Sequence, residues 1–138
     1  IRYVIMKKKI LILFSLFCSL FCLGQTVSTR QLAGTSWNLI LPKMENYYST
    51  IKFSTDTMTY ITLYPSLNKT MVLNEQYYIS SAEPTSFDKT LVGKSLSGNY
   101  IAEYNGRRLM WLKVEKISND SLYVSNEVDD KFIFKRLK

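Results

Sequence analysis

Apolar and polar residues alternate along most of the chain beyond residue 35, and this period of two is typical of β-strands with one buried face. Trp37 and Leu39, for example, alternate with Ser36 and Asn38. Other segments are dense in Thr, Tyr and branched residues, which suit a pleated, half-buried surface. Together these patterns predict eight strands, at residues 36–41, 50–54, 58–64, 71–79, 100–104, 109–117, 122–125 and 132–137.

Short polar segments with turn-forming residues separate most of these strands. Asn105-Gly106 is the strongest turn signal, because Asn and Gly both tolerate the positive φ angles of a tight hairpin turn. Residues 54–57, 118–120 and 129–130 carry similar turn chemistry. Eight strands joined mainly by hairpins, without a long helical pattern, predict an all-β fold, either an up-and-down antiparallel barrel or a sandwich.

The connection between the fourth and fifth strands, residues 82–98, is longer than a hairpin loop, and such segments usually carry structure or function. Thr85 and Asp88 stand three apart before the apolar Leu91 and Val92, which is the spacing of a weak capping box. The pattern predicts one short helical turn within this connection, with an ordered surface loop around it.

The first 24 residues have a different pattern from the rest. Met6 is followed by three lysines and then by an apolar run over residues 10–23, and Gly24 precedes Gln25. A basic stretch, an apolar stretch and small residues in this order are typical of a secretory signal peptide. The apolar run is shorter than the roughly 20 residues that cross a bilayer. We therefore expect residues 1–24 to comprise upstream residues and a signal peptide.

Anchoring as a lipoprotein is a less favoured alternative for this segment, which contains both cysteines, Cys18 and Cys22. Lipid attachment needs a small residue just before the cysteine, whereas Phe17 and Phe21 stand there, so we favour cleavage before Gln25. Residues 25–138 would then form a single exported domain, periplasmic or secreted, with no transmembrane segment. This domain has no cysteine for a disulfide, and it is long enough to be held together by its core.

Removal of the leader also changes the charge of the protein. The full chain has 18 Lys and Arg residues against 11 Asp and Glu residues, which gives a formal net charge of +7. Arg2 and the lysines at 7–9 lie within the leader, so the remaining domain carries only +3. That balance, without a basic run longer than Arg107-Arg108, argues against a nucleic-acid partner.

The residue types and motifs that are absent exclude several classes of enzyme. The chain has no histidine, which excludes a serine–histidine triad and histidine-ligated zinc. No cysteine remains in residues 25–138, which excludes thiol nucleophiles, and no glycine-rich phosphate-binding motif is present. The acidic segment 126–130 lacks the ligand spacing of a calcium loop and is typical of a solvated turn. We therefore expect a protein that is not an enzyme and uses neither a cofactor nor a metal ion.

The segment Leu32-Ala33-Gly34-Thr35-Ser36-Trp37, the eight strands that follow it and Arg136 in the last strand resemble the small secreted bacterial lipocalin-like domains of the calycin group. The resemblance implies a closed up-and-down barrel that binds a small apolar or amphipathic ligand. Nine of the ten tyrosines lie in residues 25–138, where they serve equally as strand formers or as a recognition surface. The alternative function is therefore a ligand-free interaction or inhibitor module of the cell envelope that acts through a Tyr-rich surface on an unknown protein partner.

An up-and-down barrel brings the ends of its odd strands and the starts of its even strands to one rim. We expect this rim to be the mouth of the barrel, with residues 42–46 as a lid. A small hydrophobic ligand would contact the rim residues Leu41, Tyr47, Tyr64, Met71, Tyr104, Met110 and Phe132.

The opposite end of the barrel is predicted to be closed. Closure of an even number of antiparallel strands pairs the first strand with the last, so Trp37 should lie beside Arg136. Both residues share a face with apolar neighbours, and we expect a guanidinium–indole contact between them. The same topology sends the 82–98 connection to this end, where it is expected to plug the barrel.

Overall fold

The computed structural model of the protein describes residues 25–40 and 46–138, so the predicted leader, Leu41 and most of the predicted lid lie outside the described residues. No helix in these two ranges is long and apolar enough to cross a membrane. Short 3-10 turns occur at Pro65–Leu67 and Lys89–Leu91. The described helix and strands are, in chain order, β1 (Val27–Ser28), α1 (Thr29–Leu32), β2 (Ser36–Ile40), β3 (Tyr48–Phe53), β4 (Thr57–Tyr64), β5 (Lys69–Ser80), β6 (Ser97–Gly98), β7 (Tyr100–Tyr104), β8 (Leu109–Ile117), β9 (Ser121–Ser125) and β10 (Lys131–Arg136).

Eight of these strands form a closed antiparallel barrel in the order β10-β2-β3-β4-β5-β7-β8-β9. Each strand pairs with the next one along the chain, and β10 pairs with both β9 and β2, which closes the sheet. The prediction of an all-β, up-and-down, eight-stranded barrel is therefore confirmed, and the sandwich is excluded. All eight predicted strands are present, because the two-residue alternation that marks each one buries the same set of side chains.

The Asn105-Gly106 signal does mark a hairpin, but the turn differs from the expected two-residue type. Gly106 has a φ of +92°, whereas Asn105 is not among the residues with positive φ. The side chain of Asn105 instead accepts hydrogen bonds from the backbone N–H groups of Arg107 and Arg108, at 2.9 Å each. A longer loop over residues 105–108 therefore connects β7 to β8, with Asn105 organising its backbone.

One half of the barrel interior is filled by tightly packed side chains. Alternate residues from the strands meet at the end where β2 starts and β10 ends, and they exclude solvent almost completely. Eight of these side chains are each at most 2% exposed: Trp37, Ile51, Met58, Tyr77, Ile79, Ile101, Val114 and Leu122. This half of the molecule is a conventional hydrophobic core, as the absence of cysteine from residues 25–138 requires.

The N-terminal segment closes this end of the barrel. Ser28 caps α1 with a capping box, and Leu32 at the end of the helix is completely buried within the core. Two backbone hydrogen bonds fix the segment to the end of β3: the N–H of Gly34 donates to the carbonyl of Phe53 at 2.8 Å, and the N–H of Phe53 donates to the carbonyl of Thr35 at 3.0 Å. The plug was predicted from residues 82–98, and the structure shows that residues 27–32 supply most of it.

The 82–98 connection divides between the closed end and the outer surface. Its last residues form β6, which pairs with β1, and Leu96 accepts a hydrogen bond from the N–H of Thr29 at 2.9 Å. The earlier part contains the predicted helical turn, a 3-10 turn capped by the side chain of Asp88, which accepts from the N–H of Thr90 at 3.0 Å. The prediction of a helical turn is confirmed, but the Thr85–Asp88 capping box is not, because Asp88 is itself the N-cap of a turn that begins at Lys89, on the outside of the barrel.

Candidate ligand-binding site

Inward-facing side chains in the half of the interior away from the plug are less completely buried than those of the core. Inward-facing apolar residues at this level are only half buried, among them Leu39, Leu112 and Phe132, which pack on the edge of the core. The wall is also uneven, because β7 pairs only with residues 76–80 of β5, and the rest of the β4–β5 hairpin extends past it. Leu73 and Met71, on the inward face of this extension, are 51% and 37% exposed. The open end of the barrel therefore presents partly accessible apolar side chains on its inward face, and we call this region the cup.

Most of the predicted mouth residues that the structure describes lie on the inward face at this open end. The rings of Tyr47 and Tyr64 are 5.8 Å apart, and Met71 is the neighbour of Thr62 across the β4–β5 pair. Met110 lies opposite Glu103, and Phe132 lies opposite Val124. Leu41 falls in the range that the structure does not describe. The sequence prediction thus brings together five residues that share one rim.

Tyr104 was predicted to line the mouth, and this prediction was wrong. It follows Glu103, which is buried inside the barrel, so the alternation of the strand turns Tyr104 to the outer surface. There its ring stacks on Phe87 of the 82–98 connection, with centroids 4.9 Å apart, and Phe87 also contacts Tyr78 at 5.0 Å. Tyr104 therefore anchors this connection to the barrel wall instead of contacting the interior.

A buried polar group stands at the floor of the cup, where the apolar core begins. The hydroxyl of Tyr60 on β4 donates a hydrogen bond of 2.7 Å to Oε2 of Glu103 on β7. Glu75 on β5 lies close by, because the residue two positions further, Tyr77, is the cross-strand partner of Glu103. Glu75 and Glu103 are only 6% and 3% exposed. Two carboxyl groups and a phenol thus share one small region of the interior, which we call the Tyr60–Glu75–Glu103 cluster.

The two carboxyl groups of the Tyr60–Glu75–Glu103 cluster are hydrogen bonded to each other. Oε2 of Glu75 is buried and receives no hydrogen bond from an N–H group or from the Tyr60 hydroxyl. Buried polar atoms in folded proteins are nearly always hydrogen bonded, and a proton on the neighbouring Glu103 carboxyl supplies the donor for Glu75. Because Glu75 shares the inward face of β5 with the buried Tyr77, its carboxyl group points into the barrel.

Burial controls the protonation of this cluster. Removal from water raises the pKa of the Glu103 carboxyl well above its ordinary value, and the adjacent Glu75 raises it further, while the Tyr60 hydrogen bond acts in the opposite direction. Burial and the nearby Glu103 also raise the pKa of the Tyr60 phenol well above its ordinary value. Glu103 therefore keeps its proton at pH values where an exposed glutamate is ionised, and Tyr60 remains a neutral donor.

The sequence analysis missed the Tyr60–Glu75–Glu103 cluster, although the signal was present. Glu75 occupies an inward position in the apolar alternation of β5, between Leu73 and Tyr77, and Glu103 follows Ile101 in the same manner. A charged residue at an apolar position of a strand predicts either an error in the assigned face or a functional group. Here the buried neighbours on the same strand faces, Tyr77 beside Glu75 and Ile101 beside Glu103, show that both glutamates face the interior.

At the opposite end, Trp37 and Arg136 lie beside each other as neighbours across the β2–β10 pair. The guanidinium carbon of Arg136 is 5.8 Å from the centroid of the Trp37 ring. The indole is 1% exposed, and its N–H donates to Oγ1 of Thr35 at 2.7 Å. This pair belongs to the closed end of the barrel and is separated from the cup by the filled core.

Comparisons of the chain with protein-family models, curated proteins and solved structures give no match. Among the described residues, no group of three or more His, Cys, Asp or Glu side chains is arranged to hold a metal ion. The eight-stranded closed barrel is compatible with a lipocalin-like fold, and the open half of its interior, with the buried carboxyl pair at its floor, is the candidate site.

Proposed function

We propose that this protein is an exported, lipocalin-like binding protein for a small apolar or amphipathic molecule. The observation that carries the proposal is the contrast between the two halves of the barrel interior. Side chains at the closed end are excluded from solvent, whereas inward-facing apolar residues at the open end, such as Leu112 and Phe132, remain partly accessible. An eight-stranded barrel has room for one small ligand when part of its interior is left unfilled.

The composition of the cup supports an amphipathic ligand. Its wall is apolar and aromatic, and its floor has a small number of polar groups at fixed positions, which is the usual make-up of small-molecule sites. We propose binding rather than catalysis, because Tyr60 and Glu103 are hydrogen bonded to each other and residues 25–138 contain no histidine or cysteine. Export is supported by the basic, apolar and small-residue order of the N-terminal segment.

The experiment that tests this function is titration of the purified protein with Nile red, a neutral apolar dye that fluoresces in apolar sites. We expect saturable binding to the wild type and binding about tenfold weaker in Met110→Trp, because the larger side chain would occupy the cup. The control is Leu109→Trp, the same change at the neighbouring position of β8, which faces outward. Absence of saturable binding to the wild type, or equal weakening in both variants, would contradict the proposal.

A second candidate function, an interaction module, is favoured by one feature of the outer surface. Tyr48 and Leu63 are cross-strand neighbours on the outside of the barrel and are 69% and 42% exposed, and Val72 nearby is 56% exposed. Such patches often mark protein contacts. Cross-linking of the protein to an envelope protein that is lost in Leu63→Glu, together with absence of dye binding, would support this alternative.

A further inference from the structure

We propose that the closed end of the barrel binds a phosphate group between the guanidinium groups of Arg30 and Arg136. Both arginines line one cleft of about 410 Å³ on the outside of this end. The filled core separates the cleft from the cup, so this site is independent of the ligand proposed for the cup. It gives a second binding function to the end of the molecule that the N-terminal segment closes.

The guanidinium group of Arg136 is held in place at the edge of this cleft. Its carbon is 5.8 Å from the centroid of the Trp37 ring, and Nη1 donates to the backbone carbonyl of Asn119 at 3.5 Å. The indole beneath it is itself fixed, because Trp37 is buried and donates a hydrogen bond to Thr35. An arginine has five N–H donors, so most of those on Arg136 remain for a ligand.

A second set of donors comes from the short helix α1. Arg30 is exposed on this helix and lines the cleft together with its neighbour Gln31. The Oε1 atom of Gln31 accepts a hydrogen bond from the N–H of Ser28 at 2.9 Å, which leaves the amide nitrogen of the side chain as a donor. The cleft therefore combines two cationic groups, one from α1 and one from β10, with a neutral donor.

The positive charges of this cleft are not balanced by the protein. Among the described residues, none that lines the cleft is acidic. The carboxyl group of the nearby Asp120 accepts hydrogen bonds from two serine hydroxyls of its own turn, at 2.9 and 3.1 Å. In the described part of the chain the one ion pair joins Arg108 to Glu127, at the open end of the barrel. Arg30 and Arg136 therefore lack an acidic partner within these residues.

The surroundings of Arg136 are basic on its other side as well. A second cleft of about 540 Å³ borders this arginine and is lined by Lys52 of β3 and by Lys138. None of its described lining residues has an acidic side chain. Clefts lined by charge of one sign focus the electrostatic potential and concentrate counterions. The ligand that this end of the barrel attracts is therefore an anion.

A phosphate group matches the two arginines better than a carboxylate does. Each guanidinium is a planar fork that binds two oxygen atoms of a carboxylate or a phosphate at once. A carboxylate has two oxygens and a single charge, which one arginine satisfies. A phosphate monoester has three terminal oxygens and a charge of about −1.5 to −2 at pH 7, so it can bind both guanidinium groups and balance them. Free phosphate compounds and phosphate headgroups of lipids share this chemistry.

The experiment is a titration of the nitrogen-15-labelled protein with inorganic phosphate, followed by NMR at neutral pH and constant ionic strength. We expect saturable shifts at the closed end, and an affinity about tenfold lower in Arg30→Gln and in Arg136→Gln, because each substitution removes one charge-assisted fork. Arg107→Gln is the matched control, since it removes the same charge from an exposed loop at the open end. It should bind phosphate as the wild type does.

Three results would overturn the proposal. The first is a wild-type titration without saturation. The second is an equal loss of affinity in Arg107→Gln, which would show attraction to the overall charge alone. The third is wild-type affinity in both Arg30→Gln and Arg136→Gln, which would place the anion elsewhere.

A second measurement applies if Arg136→Gln does not fold, since Arg136 also covers Trp37. The Nε–H resonances of Arg30 and Arg136 in the wild type should move on addition of phosphate, and that of Arg107 should stay in place. Unchanged resonances of the first two arginines at saturating phosphate would overturn the proposal.

Lipid vesicles distinguish the two sources of the phosphate group. Sedimentation with phosphatidylcholine vesicles that contain phosphatidic acid, but not with phosphatidylcholine alone, would assign the site to a lipid headgroup if Arg136→Gln reduces it. Binding of inorganic phosphate without sedimentation would assign the site to a soluble phosphate compound. Nile red binding should be the same in Arg136→Gln and in the wild type, so failure of the phosphate site and failure of the binding cup are separate results.

Discussion

Arg136, the last residue of β10, lies across the barrel seam from Trp37 in β2, with its guanidinium carbon 5.8 Å from the centre of the indole ring. This contact joins the first and last strands of the barrel at the point where the sheet closes. The buried indole and the exposed arginine that covers it are separated by nearly the whole described sequence, so their proximity is a direct consequence of closure. Two predictions concern this pair.

Trp37→Ala should lower the free energy of unfolding by about 3–5 kcal/mol, because it leaves a cavity in the filled half of the interior. Chemical denaturation of the variant and the wild type measures this difference. Trp111→Ala is the control, since Trp111 lies on the outer face and is only half buried against Tyr100. Equal losses in the two variants would contradict the placement of Trp37 in the core.

Arg136→Ala should shift the fluorescence of Trp37 to longer wavelength, because removal of the guanidinium uncovers the indole. The measurement is made in a Trp111→Phe background, where Trp37 is the one remaining tryptophan. A contact of this kind at an exposed edge contributes about 0.5–1 kcal/mol, so the loss of stability should be small. Arg107→Ala, at the opposite end of the barrel, should leave the emission unchanged. An unshifted spectrum in Arg136→Ala would show that the contact does not form in solution.

Leu32→Ala tests the plug formed by the N-terminal segment. Leu32 is completely buried at the closed end, and its truncation should cost about 2–5 kcal/mol of stability. The neighbouring Arg30, exposed on the same short helix, provides a control, and Arg30→Ala should change stability by less than about 0.5 kcal/mol. Thermal or chemical denaturation checks both values. A Leu32→Ala variant as stable as Arg30→Ala would mean that the core does not depend on this segment.

Gly98→Ala tests how closely β6 approaches the barrel. A Cβ atom at this position would stand 2.1 Å from the carbonyl oxygen of Ser80. Because that oxygen belongs to the backbone, rotation of a side chain cannot relieve the clash. We expect a loss of about 1–3 kcal/mol, comparable to overpacking of a core. Ser97→Ala, at the exposed neighbouring position, should be nearly neutral. If both substitutions are tolerated equally, β6 does not lie against β5 in solution.

The strands could be predicted from the sequence because their determinants are local, since each strand shows a two-residue alternation. Closure is not local: the strand pattern was compatible with a barrel or a sandwich, the resemblance favoured the barrel, and only a closed sheet pairs β2 with β10. The plug was assigned incompletely because Val27 and Leu32 belong to a two-residue strand and a single helical turn, which are too short to show a period. Their burial depends on long-range contacts with the barrel end, and no local pattern encodes these contacts.

The inward face of β7 was the main error at the candidate site. This strand has apolar side chains on both faces, because Ile101 faces the core while Tyr104 is covered by Phe87 from the 82–98 connection. With both faces apolar, the alternation does not indicate which one is inside. A prediction that places Tyr104 inside leaves Glu103 on the outer face, so the burial of Glu103 was missed. Glu75 was missed for a different reason, since it lies on the inward face of β5 but was not recognised there as a buried carboxyl.

The stability of the protein should fall as pH rises through the range in which Glu103 loses its proton. The pKa of Glu103 in the folded state lies well above its ordinary value of 4.5, mainly because of burial and then because of Glu75. The folded state therefore binds this proton more tightly than the unfolded state does. Its contribution to stability is fully present below the unfolded pKa and is lost as pH rises through the folded pKa.

Glu103→Gln removes this titration while keeping a side chain of similar size. The free energy of unfolding of the wild type minus that of Glu103→Gln should therefore decrease as pH is raised from below 4.5. The exposed Asp88 and Asp120 do not enter this difference, because the hydrogen bonds that lower the pKa of each carboxyl are the same in both proteins. Glu83→Gln should instead follow the wild type in parallel over the whole range. Denaturation curves at several pH values measure the two differences, and a pH-independent difference for Glu103→Gln would show that Glu103 does not hold its proton inside the barrel.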